Sequence, residues 1–481
     1  METRISSETK VSPATQGALA GRADGTGVPV WNWTREHVSY PREVVDIGSI
    51  DEISPILADG ERYPTPVRGL ASRHSTTRCG EADGGTVVDV RRLNRILRIG
   101  SDSVTTEPGA LYIDVMTELE KHDLQFYVNI ELGNLSMGAA ATCATKDASM
   151  PGEYGQVNSY ATRIKVLTPS GETVEITEDD PELLQAARSS YGLFGITTEV
   201  TFKVRPLQAM AVHHEVYKLK EFQARLPELV ERGESMMFYL FPFLEKVGIE
   251  FRRYTGDESA VRKSRPATHT AWKIRNKSWK TVTPYINYAL ERYVPFRGVR
   301  YFAVNQSNRA AQLLMTRLVR SEHTLPGDQM IRYPEISGKS KYTFSIWAFP
   351  EERYPETLGE YFRFAQSYYK NKHWRPNMLH VGYRILQDQS SLFSYTYDWN
   401  AITIDPVCTG APGWQDFLDA YNGFCSDHDG KPLLNQTPRL TRDQVAKAFG
   451  DRIAQFESHR HRFDPEDRLL NGYFRDLFAA T

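Results

Sequence analysis

The sequence predicts an α+β protein of two domains, and three observations carry that expectation. The 481 residues exceed what one ordinary hydrophobic core organises, so two domains are the default. The N-terminal half alternates short β-branched runs with stretches of helical spacing. From about Leu207 the runs lengthen into aromatic-rich strands and helices, the pattern of an antiparallel sheet with helices on one face. The charge balance is close to even, 58 Lys+Arg against 60 Asp+Glu, which gives no support to wholesale nucleic-acid binding.

In chain order, residues 1–28 are rich in Ser, Thr, Gly and Ala, lack an apolar signal core, and are expected to form a disordered leader. The first domain, 29–206, opens with the strands "PTPVRGL" and "GTVVDV", each closed by Gly or Pro. "ALYIDVMTELEKHDL" has helical spacing after a Pro-Gly start, and "ATRIKVLTPSGETVEIT" reads as a hairpin around Ser170 and Gly171. "DDPELLQAARSSYG" is a helix with an acidic start and a Gly exit, followed by the strand "GITTEVTFKVRP". The second domain, 207–430, contains "GIEFRRY", "KYTFSIWAF" and the helix "ETLGEYFRFAQSYYK". The tail, 431–481, is expected to form one long helix, a turn at Asp464-Pro465 and a short final helix.

Cys79, Cys143, Cys408 and Cys425 show no CxxC spacing, which argues against a zinc site or a disulfide scaffold and fits a reducing cytoplasm. His459 and His461 lack further ligands at metal spacing, so no metal is expected. No apolar run approaches the roughly 18 residues that cross a bilayer.

The stretch "PVRGLASRHSTTRCGEADGGTVVDVRRL", residues 66–93, holds a single histidine among small and hydroxylated residues. Such a strand-turn-strand brings backbone amides close to a ligand, and amides at a tight turn favour an anion. It reads as a phosphate cradle with one reactive side chain.

Seven stretches then occur in a familiar order: Asn32-Trp33, "VRGLASRHSTTRC", "TTEPGALYIDVMTEL", "LGNLSMGAAATCAT", "KVLTPSGE", "LLQAARSSYGLFGITTEVTFKV" and "FDPEDRLLNGYF". Together they resemble the flavoproteins of the vanillyl-alcohol oxidase/p-cresol methylhydroxylase (PCMH) type, and among these the aldonolactone and alditol oxidase branch. The resemblance runs over nearly all of the chain after residue 28, closely to Pro206 and again from Asp464, loosely between. It implies a split, two-subdomain PCMH-type FAD-binding domain, an antiparallel-sheet substrate cap, and FAD in the groove between them. The implied activity is that of an oxidase or dehydrogenase. A hydride passes from a C–H next to a hydroxyl or amine of a small substrate to flavin N5, and then to oxygen or another acceptor.

By this resemblance the loop of Arg68, Gly69, Leu70, Ala71, Ser72, Arg73 and Ser75 wraps the FAD pyrophosphate. His74 is expected to be bonded to the flavin 8α-methyl, the alternative being an imidazole that only packs beside the ring. Gly133, Ser136, Gly138, Ala139 and Thr142 bring a backbone close to the cofactor, and Gly192, Gly195 and Ile196 contact it again. Cys143 stands where relatives differ, and is either a small filler near the ring or a second attachment point. The small residues from Gly138 to Ala141 favour oxygen access.

On the substrate side the sequence departs from the branch. Sugar-oxidising members place Glu-x-Arg on a cap strand. Here "HVGYRI" has Gly382 for the Glu and keeps Arg384. Where relatives read "GRPHWGK", "GKPLLNQT" puts Leu433 and Leu434 for His and Trp, and Gln436 for Lys. Arg384 and Gln436 are thus the candidate catalytic residues, and the leucines imply a more apolar pocket than a sugar site. The lost groups also leave open a catalytically retired flavin- or ligand-binding protein, against a sugar-derived lactone or alditol as substrate. Finally, residues 261–300 carry about ten basic residues, with Trp272, Trp279, Tyr285 and Tyr288 interleaved and Glu291 as the one acid. This is either a solvated insertion or a peripheral contact with a membrane or an acidic partner.

Overall fold

The computed structural model describes residues 27–256, 261, 266–319, 321–335, 338–339 and 341–478. Almost all of the expected leader, 1–28, therefore lies outside the described residues.

Two sheets share the first core. The β-branched runs at Glu43–Asp46, Val67–Leu70 and Thr86–Asp89 form a small parallel sheet with Thr86–Asp89 in the centre. Thr86–Asp89 is buried throughout, as a central parallel strand must be. The second sheet is antiparallel and runs in the order Thr173–Thr177, Ala161–Leu167, Ile196–Pro206, Ser103–Thr106, Ile96–Ile99, with Leu124–Phe126 also pairing to Ile196–Pro206. The hairpin expected at Ser170 and Gly171 is present, with Gly171 at φ 84°.

The second core is an eight-stranded antiparallel sheet whose central strands are Ser235–Phe241, Lys246–Tyr254, His380–Ile385 and Ala401–Ile404. Its register decides what faces what, because alternate residues point to opposite faces. Phe238, Leu240, Ile249 and Phe251 pack against the helices Leu219–Glu231, Tyr354–Lys372 and Trp414–Asp427. Met237, Tyr239, Phe241 and Val381 turn the other way, toward Trp33, Trp279, Tyr333 and Tyr342. The edge strand Lys431–Pro432 belongs to this sheet, so the sheet extends two residues past 430.

The tail returns to the first core through Val445, Phe449, Phe456, Phe463, Leu470 and Phe474. It does so as three helices, Arg442–Phe449, Arg452–Phe463 and Gly472–Phe478. The expected single long helix breaks at Gly450, whose φ of 52° no continuing helix accommodates.

Candidate active site

A cleft of about 960 Å³, counting space open to solvent, runs along the first domain. Its floor is the turn after Val67–Leu70, where Arg73 takes a left-handed φ of 55°. That turn is tied down from both sides. Trp33 N donates to Arg73 O at 2.9 Å, Asn32 Nδ2 to Ser75 O at 3.0 Å, and Thr76 N to Asn435 O at 3.0 Å. Arg68 is fully buried beneath it, donating to Cys79 O at 3.1 Å and Leu469 O at 3.0 Å and also to Tyr191 O. One guanidinium therefore holds the loop, the Tyr191 turn and the C-terminal segment together.

All the residues expected at a cofactor line this cleft except one. Gly133 does not. Its amide bonds Ile331 O at 2.9 Å, and a Cβ there would press within 3.0 Å of Ile113, so this glycine serves packing between two segments. Gly138 and Gly195 line the cleft and are also packed tightly against the protein behind it. A Cβ on Gly138 would sit 2.9 Å from Pro108, and Gly195, at φ 151°, passes directly under Leu167 O.

His74 stands at the inner end of the cleft and is buried. Asn134 fixes its tautomer: Asn134 Oδ1 accepts from Tyr333 N at 3.0 Å, so its Nδ2 is the donor, to Tyr333 O at 3.2 Å and to His74 Nε2 at 2.8 Å. The neutral ring then carries its proton on Nδ1, which has no partner. Burial, and secondarily Arg73, pushes the imidazole down to about 3, so it stays neutral. Cys143 also lines the cleft, and burial pushes its thiol up to about 12, which leaves no thiolate for attack.

Beyond His74 a second cavity of about 780 Å³, again counting open space, lies under the eight-stranded sheet. The two spaces share His74, Leu132 and Gln436 as common walls. The cavity is more polar than the sequence led us to expect. Lys146 Nζ bonds Asp405 Oδ2 at 2.9 Å, with both side chains at most 4% exposed, and sits 3.5 Å over the Tyr383 ring. Burial pushes the Lys146 ammonium down and the Asp405 carboxyl up, and each is partly restored by the other. Glu131 accepts from Tyr333 Oη at 3.2 Å, and Tyr342 donates to Tyr333 at 2.6 Å. Asp147 is held by Arg252 at 3.1 Å. Four buried polar atoms in this wall, Trp33 Nε1, His74 Nδ1, Thr145 Oγ1 and Asp405 Oδ1, have no protein partner. The residues that carry these four atoms all line the same cavity.

Three expectations need correction. Arg384 does not line the cavity: Val381 and Tyr383 take the cavity side of their strand, and Arg384 points to the other side, paired with Glu351. Gly382 shares that far side, where a Cβ would run into Thr403 O. Leu433 and Leu434 are core residues, Leu433 packed with Ala144 and Ile346 and Leu434 in the first core, so they do not make the pocket apolar. Gln436 alone of that group faces both spaces. Lys146, Asp405 and Glu131 escaped the sequence reading. The signal for Asp405 was available as a lone carboxylate in the apolar strand "AITID", which needs a buried partner.

A glycine-paved cleft whose end is a neutral histidine, opening into a polar cavity under an antiparallel sheet, fits an FAD-dependent oxidoreductase with a second, antiparallel-sheet domain. The comparisons agree. Residues 41–177 match a model described as an FAD binding domain, and residues 200–477 match one described as D-arabinono-1,4-lactone oxidase. The chain belongs to the D-arabinono-1,4-lactone oxidase family and oxidises CH–OH donors with FAD. It is 23% identical to L-gulono-1,4-lactone dehydrogenase of Mycobacterium tuberculosis, over 94% of this chain and 99% of that protein. It is also 23% identical to L-gulonolactone oxidase of Bos taurus, over 94% and 98%. Its fold is that of cholesterol oxidase from Brevibacterium sterolicum, with TM-score 0.72 at 15% identity, covering 94% of this chain and 96% of that one. Among the described residues no helix is long and apolar enough to cross a membrane.

Proposed function

We propose that the chain oxidises a hydroxyl group of a sugar lactone, using FAD bonded to His74. The observation that carries this reading is the unpartnered His74 Nδ1 at the junction of cleft and cavity. The cleft suits the cofactor by its own features. Ser72 Oγ and Arg68 Nε are buried there without partners, and the backbone lining it is left-handed at Arg73, Tyr191 and Gly192, the kind of turn at which anion-binding amides occur. Arg68 brings a positive charge beneath the loop that would hold the pyrophosphate.

The flavin supplies hydride acceptance. With FAD bound, His74 would be the residue that holds it, through Nδ1, the ring nitrogen left without a protein partner. A link at Nδ1 would leave the Nε2 lone pair free to accept from Asn134 Nδ2, the contact the ring already makes. In the cavity, Lys146 offers N–H donors to a lactone carbonyl or ring oxygen. Asp405 Oδ1 and Thr145 Oγ1 accept from substrate hydroxyls, and Gln436 stands between substrate and cofactor space. These polar groups remove the reason for reading the pocket as retired. They also favour a hydroxylated lactone over an apolar alcohol, because a site with buried hydrogen-bonding groups rejects ligands that leave them unpaired.

The test is acid precipitation with intact mass spectrometry, followed by anaerobic mixing with D-arabinono- and L-gulono-1,4-lactone. A yellow pellet, a mass increase of one FAD less two hydrogens, and bleaching by a lactone support the reading. Complete release of flavin on denaturation refutes the tether, and a flavin that no lactone bleaches refutes the substrate.

A further inference from the structure

Scattered apolar side chains on a surface need no explanation, but a concentration of them does. Among the described residues, ten of the fourteen exposed large apolar side chains fall between Ile274 and Leu314. This segment forms a helical layer over the substrate domain: Pro266–Lys277, a wider π-type turn at Ser278–Val282, Thr283–Tyr293 and Arg297–Leu318. Its inner face is anchored. Trp272 and Trp279 are buried, Trp279 lines the substrate cavity, and Asn287 donates to Asn377 O at 2.8 Å. Both tryptophans therefore face inward.

The outer face is different. Val282, Tyr285, Ile286 and Tyr293 follow helical spacing on one stripe, and all are exposed. The turn into the next helix adds Phe296 at 73%, Val299 at 59% and Phe302 at 65% exposure, beside Tyr293 at 71%. Four large apolar groups thus project from the tip of a helical hairpin. From 266 to 314 the one acidic residue is Glu291, and it is held by Arg300 at 3.6 Å. Lys273, Lys277, Arg292, Arg297 and Arg309 are exposed on the same layer.

We infer that this hairpin tip and helical stripe dock the protein on an anionic lipid bilayer, the apolar groups entering the interface and the basic groups meeting headgroups. The charge selects the occupant. A second copy applied face to face would oppose two basic surfaces, whereas an anionic bilayer complements one and accepts aromatic and aliphatic side chains at its interface. The inference goes beyond the proposed activity and does not depend on it. With Trp279 on the inner side, docking would set the substrate cavity one helical layer above the membrane.

The test is co-sedimentation of the full flavin-loaded chain with phosphatidylcholine vesicles, with and without about 30% phosphatidylglycerol. Binding to the anionic vesicles is expected, weakened by salt because exposed charges are screened. Tyr293→Ser/Phe296→Ser/Phe302→Ser should bind at least about tenfold more weakly while its flavin is reduced by substrate as in the parent. Arg292→Gln and Arg297→Gln should each lower anionic-vesicle binding about fivefold. Parent protein that stays in the supernatant overturns the inference, as does a triple variant that pellets equally well. A parent dimer that the triple variant lacks, with no vesicle binding, would instead assign the face to a second copy.

Discussion

Replacing Lys146 with Met tests the polar cavity most severely. Lys146 Nζ and Asp405 Oδ2 are 2.9 Å apart with both side chains at most 4% exposed. At an effective dielectric of about 20 their attraction is about 6 kcal/mol, and desolvating the two ions consumes several kcal/mol each, so the pair is near neutral for stability. Breaking it is not neutral. Asp405 would be left buried and uncompensated, a loss of about 3–5 kcal/mol near pH 7, unless it takes up a proton. Burial already raises this carboxyl and Lys146 is the main influence lowering it, so the variant should regain stability as pH falls and the carboxyl takes up its proton. Lys146→Met/Asp405→Asn removes both charges and should recover most of the loss. If Lys146 also holds a lactone oxygen, the double variant keeps its fold but reduces its flavin about two to three orders of magnitude more slowly, the range for losing one charged contact made in the transition state. Urea unfolding and anaerobic stopped-flow reduction separate the two effects. A single variant as stable as the parent would show that the pair is not buried, and a double variant with parental reduction rates would show that it does not contact the substrate.

Four further outcomes are expected. His74→Ala should retain FAD only noncovalently, because the Arg68–Ser75 loop is intact, and its flavin should leave on acid precipitation. Asn134→Leu should slow flavin attachment, since it removes the side chain that orients the His74 ring and pairs with the Nε2 lone pair of the linked product, and a time course of acid-stable yellow protein measures this. Arg384→Ala should change flavin reduction by less than about threefold and destabilise the fold by about 1–2 kcal/mol, since its partner is Glu351 outside the cavity; a large rate loss would return Arg384 to the site. His380, bonded to Tyr361 at 2.7 Å, is pushed down to about 3, mainly by burial. Between pH about 6.5 and 3 the unfolded chain binds a proton there that the folded chain does not, so stability falls as pH falls. Urea denaturation of His380→Phe should show a pH slope shallower by about 1.4 kcal/mol per unit in that window.

The cleft of the first domain was legible because it is local. The cradle from Arg68 to Ser75, the Gly138 helix start and the Gly192 turn are each contiguous in sequence, and glycine and small residues announce a backbone approach wherever they cluster. Asn134, by contrast, lies within a marked stretch but reaches His74 across 60 residues, a contact that the local sequence does not reveal. The substrate side misled for a geometric reason. Arg384 and Gly382 were read by analogy to Glu-x-Arg, but strand alternation puts Val381 and Tyr383 on the cavity face, so a one-residue difference in register reverses which side chains touch substrate. The cavity nonetheless holds a carboxylate and an ammonium, Asp405 and Lys146, which lie 259 residues apart and meet only through the fold. The basic aromatic segment was visible by composition, yet which rings point outward depended on the packing of Trp272 and Trp279.

The central claim is that substrate reaches a flavin tethered at His74 through a cavity built for a hydroxylated lactone. Anaerobic mixing of the acid-stable, yellow holoprotein with D-arabinono-1,4-lactone, L-gulono-1,4-lactone and an apolar alcohol of similar size tests it most directly. The account predicts complete bleaching by at least one lactone and slow or no bleaching by the apolar alcohol. Bleaching by the alcohol alone, or by neither class, would contradict it.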